Sequence, residues 1–160
     1  MNRRVYSMDS FKAWMDGPEQ GRPPGPLPTQ QADIEAFSAP DGSLKIIWLG
    51  HSSFLLNLAG RIILVDPIFS QAASPVSLFV RRFQEPPIPL KALPPIDFIL
   101  ISHDHYDHLD METIEFFVER ETLFIVPLGV KNHLTGWGID AERVTEMDWW
   151  ETAAFLEVTF

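Results

Sequence analysis

Ile96-Asp97-Phe98-Ile99-Leu100-Ile101-Ser102-His103-Asp104-His105-Tyr106-Asp107-His108-Leu109-Asp110 decides the reading of this sequence. Its first six residues form a nearly continuous apolar run of strand length, the pattern of a strand buried on both faces. Immediately afterwards three of the chain's five His fall within six residues, together with Asp104 and Asp107. Just past a strand, residues i and i+2 still point to one side, so His103 and His105 are placed to face one cation. Asp107 and His108 follow where the chain turns and are placed to face a second. Neutral imidazole and carboxylate suit Zn, and also Mn or Fe. A solvated His-rich surface loop is the competing interpretation. The buried strand in front of it and the two carboxylates within it weigh against that.

Outward from this stretch the chain alternates strands and helices, an α/β pattern. Leu44 to Leu49 and Ser53 to Leu58 read as strands. Ala59-Gly60 reads as a hairpin turn into Arg61 to Val65, and Asp66-Pro67 stops that strand. Asp110 is placed to cap a helix over Met111 to Arg120, with Ile114, Phe117 and Val118 on one face. Thr122 to Val126, Arg143 to Met147 and Phe155 to Phe160 read as strands, and Gly129 to Thr135 as a short helix. Residues 1–43, Pro- and Gly-rich over Gly17 to Pro28, are set apart as an N-terminal segment. Residues 44–160 are taken as the structured unit.

Composition bounds the function. A chain of 160 residues with 46% hydrophobic and 21% charged residues builds one core. The formal net charge of −10 argues against a nucleic-acid partner. It leaves a phosphate-bearing substrate open, since a metal ion supplies local positive charge. With no Cys, any metal is held by His and carboxylate, and no oxidising compartment is needed. No N-terminal apolar stretch reads as a signal peptide or membrane span, so a cytoplasmic location is expected.

His-x-His-x-Asp-His after a buried strand resembles the metallo-β-lactamase fold. The motifs Trp48-Leu49-Gly50-His51-Ser52-Ser53-Phe54, Asp66-Pro67-Ile68-Phe69-Ser70, Leu93-Pro94-Pro95-Ile96-Asp97, Val126-Pro127-Leu128-Gly129 and Asp148-Trp149-Trp150-Glu151 accompany it. As a set they resemble bacterial relatives of N-acylphosphatidylethanolamine-hydrolysing phospholipase D. The resemblance implies an αββα sandwich with two metal ions, Zn first and Mn or Fe as alternatives. It implies that His103 and His105 hold one ion, and that Asp107 and His108 hold the other and are the catalytic pair. Asp66 and His51 are implied as supporting residues, with a hydrogen-bonding loop His as the competing reading of His51. The implied reaction is metal-assisted attack of water on a phosphodiester, in the family a phospholipid. A lactonase or nuclease of the same fold is the enzyme alternative.

The family's later ligands, a third His, a bridging Asp and a final His, have no counterpart here. The one His after His108 is His133, read as a surface residue. The chain is therefore expected to be the first half of a longer domain. On its own it is expected to show little phosphodiesterase activity and to self-associate. Val76 to Phe83 reads as a short helix serving as a lid or packing segment, or as a peripheral membrane contact. Trp149 and Trp150 are assigned either to the core or to a cleft wall.

Overall fold

The computed structural model describes residues 23–73, 81–155 and 158–159. Its centre is a six-stranded sheet in the order β1-β2-β3-β4-β5-β6. These strands are β1 (Leu44–Gly50), β2 (Ser53–Leu58), β3 (Arg61–Val65), β4 (Phe98–Leu100), β5 (Leu123–Pro127) and β6 (Val144–Met147). The first three pair antiparallel, while β3, β4, β5 and β6 run parallel. Since β1 is antiparallel to β2 and β2 to β3, the strands β1, β3, β4, β5 and β6 all end on the same edge.

The β2–β3 hairpin turns at Ala59 and Gly60, both at positive φ (52° and 91°). That is the mirror-image turn whose twist suits a two-residue hairpin. The expected strand over Ile96 to Ile101 keeps its neighbours at both ends, through Asp97 N–H to Ile62 O (2.9 Å) and Ile101 N–H to Ile125 O (3.1 Å). Only Phe98 to Leu100 lie in the regular ladder. Phe98 and Ile99 are fully buried, as a central strand requires.

Helices cover one face of the sheet: α1 (Ile34–Ser38), α2 (Met111–Glu115) and α3 (Lys131–Gly136). Phe37, Ile114, Phe117 and Leu134 pack there against Leu55, Leu64, Ile99, Phe124 and Val126. The opposite face carries a cross-strand row of Ile46, Leu56, Ile63, Phe98 and Leu123. Ile63, Phe98 and Ile125 form its buried cluster.

Four local expectations change. A helix, α1, precedes Leu44. Asp33 caps it by accepting from Ala36 N–H, and buried Asn57 donates to Phe37 O (2.6 Å). The helix expected over Met111 to Arg120 stops at Glu115. Beyond it, Phe117, Val118 and Arg120 donate to carbonyls only three residues back, tightening the chain into turns. The run from Phe155 to Phe160 is not one strand. Ala154–Phe155 (β7) instead pairs antiparallel with Val158–Thr159 (β8). Asp110 sits at the start of α2 but makes no side-chain cap bond; its carboxylate is engaged elsewhere. The helix read over Val76 to Phe83 lies largely outside the described residues. Among the described residues no helix is long and apolar enough to cross a membrane.

Candidate metal centre

The shared strand direction puts three segments together. His51 follows β1, Asp66 follows β3 and the Ser102–Asp110 loop follows β4, all on one edge of the sheet. The loop is fixed at both ends. At its start, Ser102 donates from N–H to Asp66 Oδ1 (2.7 Å) and from its hydroxyl to Asp66 Oδ2 (2.6 Å). At its far end, His108 N–H and Leu109 N–H both donate to His105 O (2.9 and 2.8 Å). The Leu109 side chain is buried.

These restraints gather the four His-motif residues. The His103 ring lies 4.6 Å from that of His105 and 3.9 Å from that of His108, centroid to centroid. His108 Nε2 is 3.7 Å from Asp107 Oδ2. His51 joins from β1, with Nε2 3.0 Å from Asp107 Oδ2. Donor atoms of His51, Asp107 and His108 all lie within 4.8 Å of one another. His51 reaches this position through a left-handed turn, Gly50 at φ 108° and His51 at φ 46°.

Hydrogen bonds orient the rings. His108 Nδ1 is 2.8 Å from Asp66 Oδ2, and a carboxylate accepts, so Nδ1 carries the proton and Nε2 presents its lone pair. The Ser102 hydroxyl spends its proton on Asp66. It therefore accepts from His103 Nδ1 (2.9 Å), freeing Nε2 of His103 as well. Burial opposes ionisation of Asp107 and is the largest single influence on it. Its own backbone N–H, the neighbouring His108 ring and the bond from His51 together outweigh burial and lower its pKa. Among the described residues, the donor atoms that come within reach of one cation are those of His51, Asp107 and His108, a set that fits a divalent cation of N/O preference, while the His103 and His105 rings lie beside it.

Asp66 is itself 4% exposed and left-handed, at φ 40°. Ser53 holds it from below: its hydroxyl donates to Asp66 O (2.6 Å) and accepts from Ile68 N–H (3.2 Å). Sequence reasoning did not single out Ser53 or Ser102, although Ser102 abuts the His motif. His133 is exposed on α3, beside Trp137. Trp149 and Trp150 line no core, being 85% and 96% exposed. A cleft lined by Phe69, Ser70, Glu85, Leu90, Glu112 and Phe116 adjoins Asp110 and includes none of the His.

A mixed sheet with helices on one face and a His-rich loop at its parallel edge defines the metallo-β-lactamase type of fold. Residues 61–160 match the family model described as Beta-lactamase superfamily domain, and the chain belongs to that family. It is 41% identical over 140 residues to an uncharacterised protein of Mycobacterium bovis, covering 86% of this chain and 37% of that protein. It is 35% identical to N-acyl-phosphatidylethanolamine-hydrolyzing phospholipase D 1 of Caenorhabditis elegans, covering 82% of this chain and 38% of that one. Among solved structures it resembles CmlA, a diiron β-hydroxylase from Streptomyces venezuelae. There the TM-score is 0.54 and the identity 27%, over 72% of this chain and 22% of that chain. The chain thus spans well under half the length of these relatives.

Proposed function

We propose that this chain contributes the His-rich half of the metal centre of a metal-dependent hydrolase that cleaves a phosphodiester, with a phospholipid as substrate. The observation that carries the reading is the convergence of His103, His105, Asp107 and His108, joined by His51, on one sheet edge. In this proposal residues 44–160 are the first half of an αββα domain. His103 and His105 hold one ion, and Asp107 and His108 hold the other with His51 beside them. Zn is the first choice. Fe stays in view because the S. venezuelae relative is described as diiron.

When bound, a metal pair lowers the pKa of water and offsets charge on phosphate oxygens. The protein's own residues do the rest. Asp66 and Ser102 hold the His108 and His103 rings with Nε2 outward, and Asp107 stays ionised against the cost of burial. The phospholipid reading draws on the name of the C. elegans relative, and a Cys-free chain suits a cytoplasmic setting. The test is hydrolysis by the longest natural form of the protein, with added Zn, Mn or Fe. N-acylphosphatidylethanolamine, a simple phosphodiester and a lactone are compared, with His108→Ala as control. Metal-dependent phosphodiester cleavage lost in the variant is expected. Lactone cleavage with no phosphodiester cleavage would overturn the substrate class.

A further inference from the structure

We infer that Asp110 is a positioning residue that fixes the metal loop from outside the His motif, acting through the strap Asp66-Pro67-Ile68-Phe69-Ser70. This rests on the metal-centre reading above. Asp110 is 7% exposed and spends its carboxylate on the far end of that strap. Oδ2 accepts from Phe69 N–H (3.0 Å) and Ser70 N–H (2.9 Å), and Oδ1 accepts from the Ser70 hydroxyl (2.6 Å). Thr113 supports it, donating its hydroxyl to Asp110 Oδ2 (2.5 Å) and accepting from Phe69 N–H (3.2 Å).

The near end of the same strap is Asp66, which holds Ser102 and His108. Loop and strap therefore clasp each other twice. The strap grips the loop at its start and at His108, and the loop, two residues past His108, grips the strap. Arg82 closes the clasp from the other side, donating from Nε to Ser70 O (2.9 Å) and from Nη2 to Ile68 O (2.8 Å). The device has a physical reason. Asp66 stands at φ 40°, a region L-residues leave unless their surroundings over-determine them. Ser53 and Ser102 fix one side of it, and without Asp110 and Arg82 the other side keeps, among the described residues, only the Phe69 N–H bond to Thr113 and the Ser70 hydroxyl bond to Glu112. Asn at position 110 keeps an acceptor for the two N–H groups and a donor for the Ser70 hydroxyl, so it is expected to preserve the clasp. Ala does not.

The experiment compares wild type, Asp110→Ala, Asp110→Asn and Arg82→Met in the full chain. Three quantities are read: amide exchange at Phe69 and Ser70, the imidazole NMR signals of His103 and His108 without metal, and Zn affinity. Asn57→Ala serves as a variant destabilised at the opposite end of the hairpin. Asp110→Ala is expected to speed exchange at both amides, shift the His108 signals and weaken Zn binding roughly 10- to 100-fold, the scale for losing a group that orients ligands. Asp110→Asn is expected to stay near wild type on all three readouts. Arg82→Met is expected to move them in the same direction as Asp110→Ala, and keeps the test decisive if that variant fails to fold. Asn57→Ala is expected to lower stability without moving the His108 signals. Loss of stability in Asp110→Ala and Arg82→Met with unchanged His108 signals would overturn the positioning role. If wild type binds no Zn, the metal-centre reading fails, while the His108 signals still decide the clasp.

Discussion

Asp66 concentrates the local physics of the site: buried, left-handed, and bonded to Ser102 and His108 at once. Asp66→Ala leaves Ser102 N–H and His108 Nδ1–H without their acceptor. We expect a stability loss of about 2–4 kcal/mol in urea unfolding, with roughly 10- to 100-fold weaker Zn binding by titration. Unchanged Zn affinity would show that His108 needs no orientation by Asp66. His51 differs, because its side chain is 59% exposed and, among the described residues, its side-chain hydrogen bond is to Asp107. His51→Ala is therefore expected to leave stability within about 0.5 kcal/mol while weakening Zn binding. An unchanged affinity would make it only a loop residue. The sequence announces the His motif itself, because its spacing after an apolar strand is local information. It does not announce Asp110. Read locally that residue is a helix cap, yet its partners Phe69 and Ser70 lie 41 and 40 residues away. Nor does it show that a left-handed Gly50-His51 turn carries His51 back onto Asp107.

At the scale of elements, the β2–β3 hairpin and α1 stabilise each other. Gly60 stands at φ 91°, and a Cβ there would come within 2.8 Å of the Pro40 Cβ. Gly60→Ala is expected to cost about 1–2 kcal/mol, from left-handed strain plus that contact, measured by thermal or urea unfolding. A neutral substitution would mean the 40–60 approach is looser than described. Asn57→Ala removes the donor to Phe37 O and the acceptor for Gly60 N–H, and is expected to cost about 2–3 kcal/mol. The hairpin was legible because Ala59-Gly60 between two apolar runs is a short-range signal. The extent of α2 was not. Ile114, Phe117 and Val118 do share a face, but the tightening after Glu115 places Phe117 in the core and sets Arg120 over the Phe116 ring at 3.7 Å. The apolar pattern of Phe155 to Phe160 fits one strand as well as two short ones, and only the pairing of Ala154–Phe155 with Val158–Thr159 separates them. Asp33 ahead of Ile34-Glu35-Ala36-Phe37 was a readable start signal for α1, masked by the Pro-rich residues around it.

Across the whole molecule, the sheet has a helix-covered face and a face that turns apolar side chains outward at β1. Leu44, Ile46 and Trp48 alternate along that strand on one side and are 58%, 57% and 60% exposed. Such a patch favours association. Sedimentation is expected to show concentration-dependent self-association of this chain, reduced by Ile46→Lys with Trp48→Lys. A monomer at every concentration would contradict this. The fold class was legible because alternating strands and helices leave few architectures. The common edge of β1, β3 and β4 was not, because it depends on pairing directions that link residues 51, 66 and 102–110. That edge is where the central claim stands, and a Zn titration of the purified chain tests it most directly. Wild type and His133→Ala are expected to bind Zn alike, while His103→Ala, His105→Ala and His108→Ala each weaken binding by roughly tenfold or more. Equal Zn affinity in all five proteins would contradict the assignment of a metal centre to the Ser102–Asp110 loop.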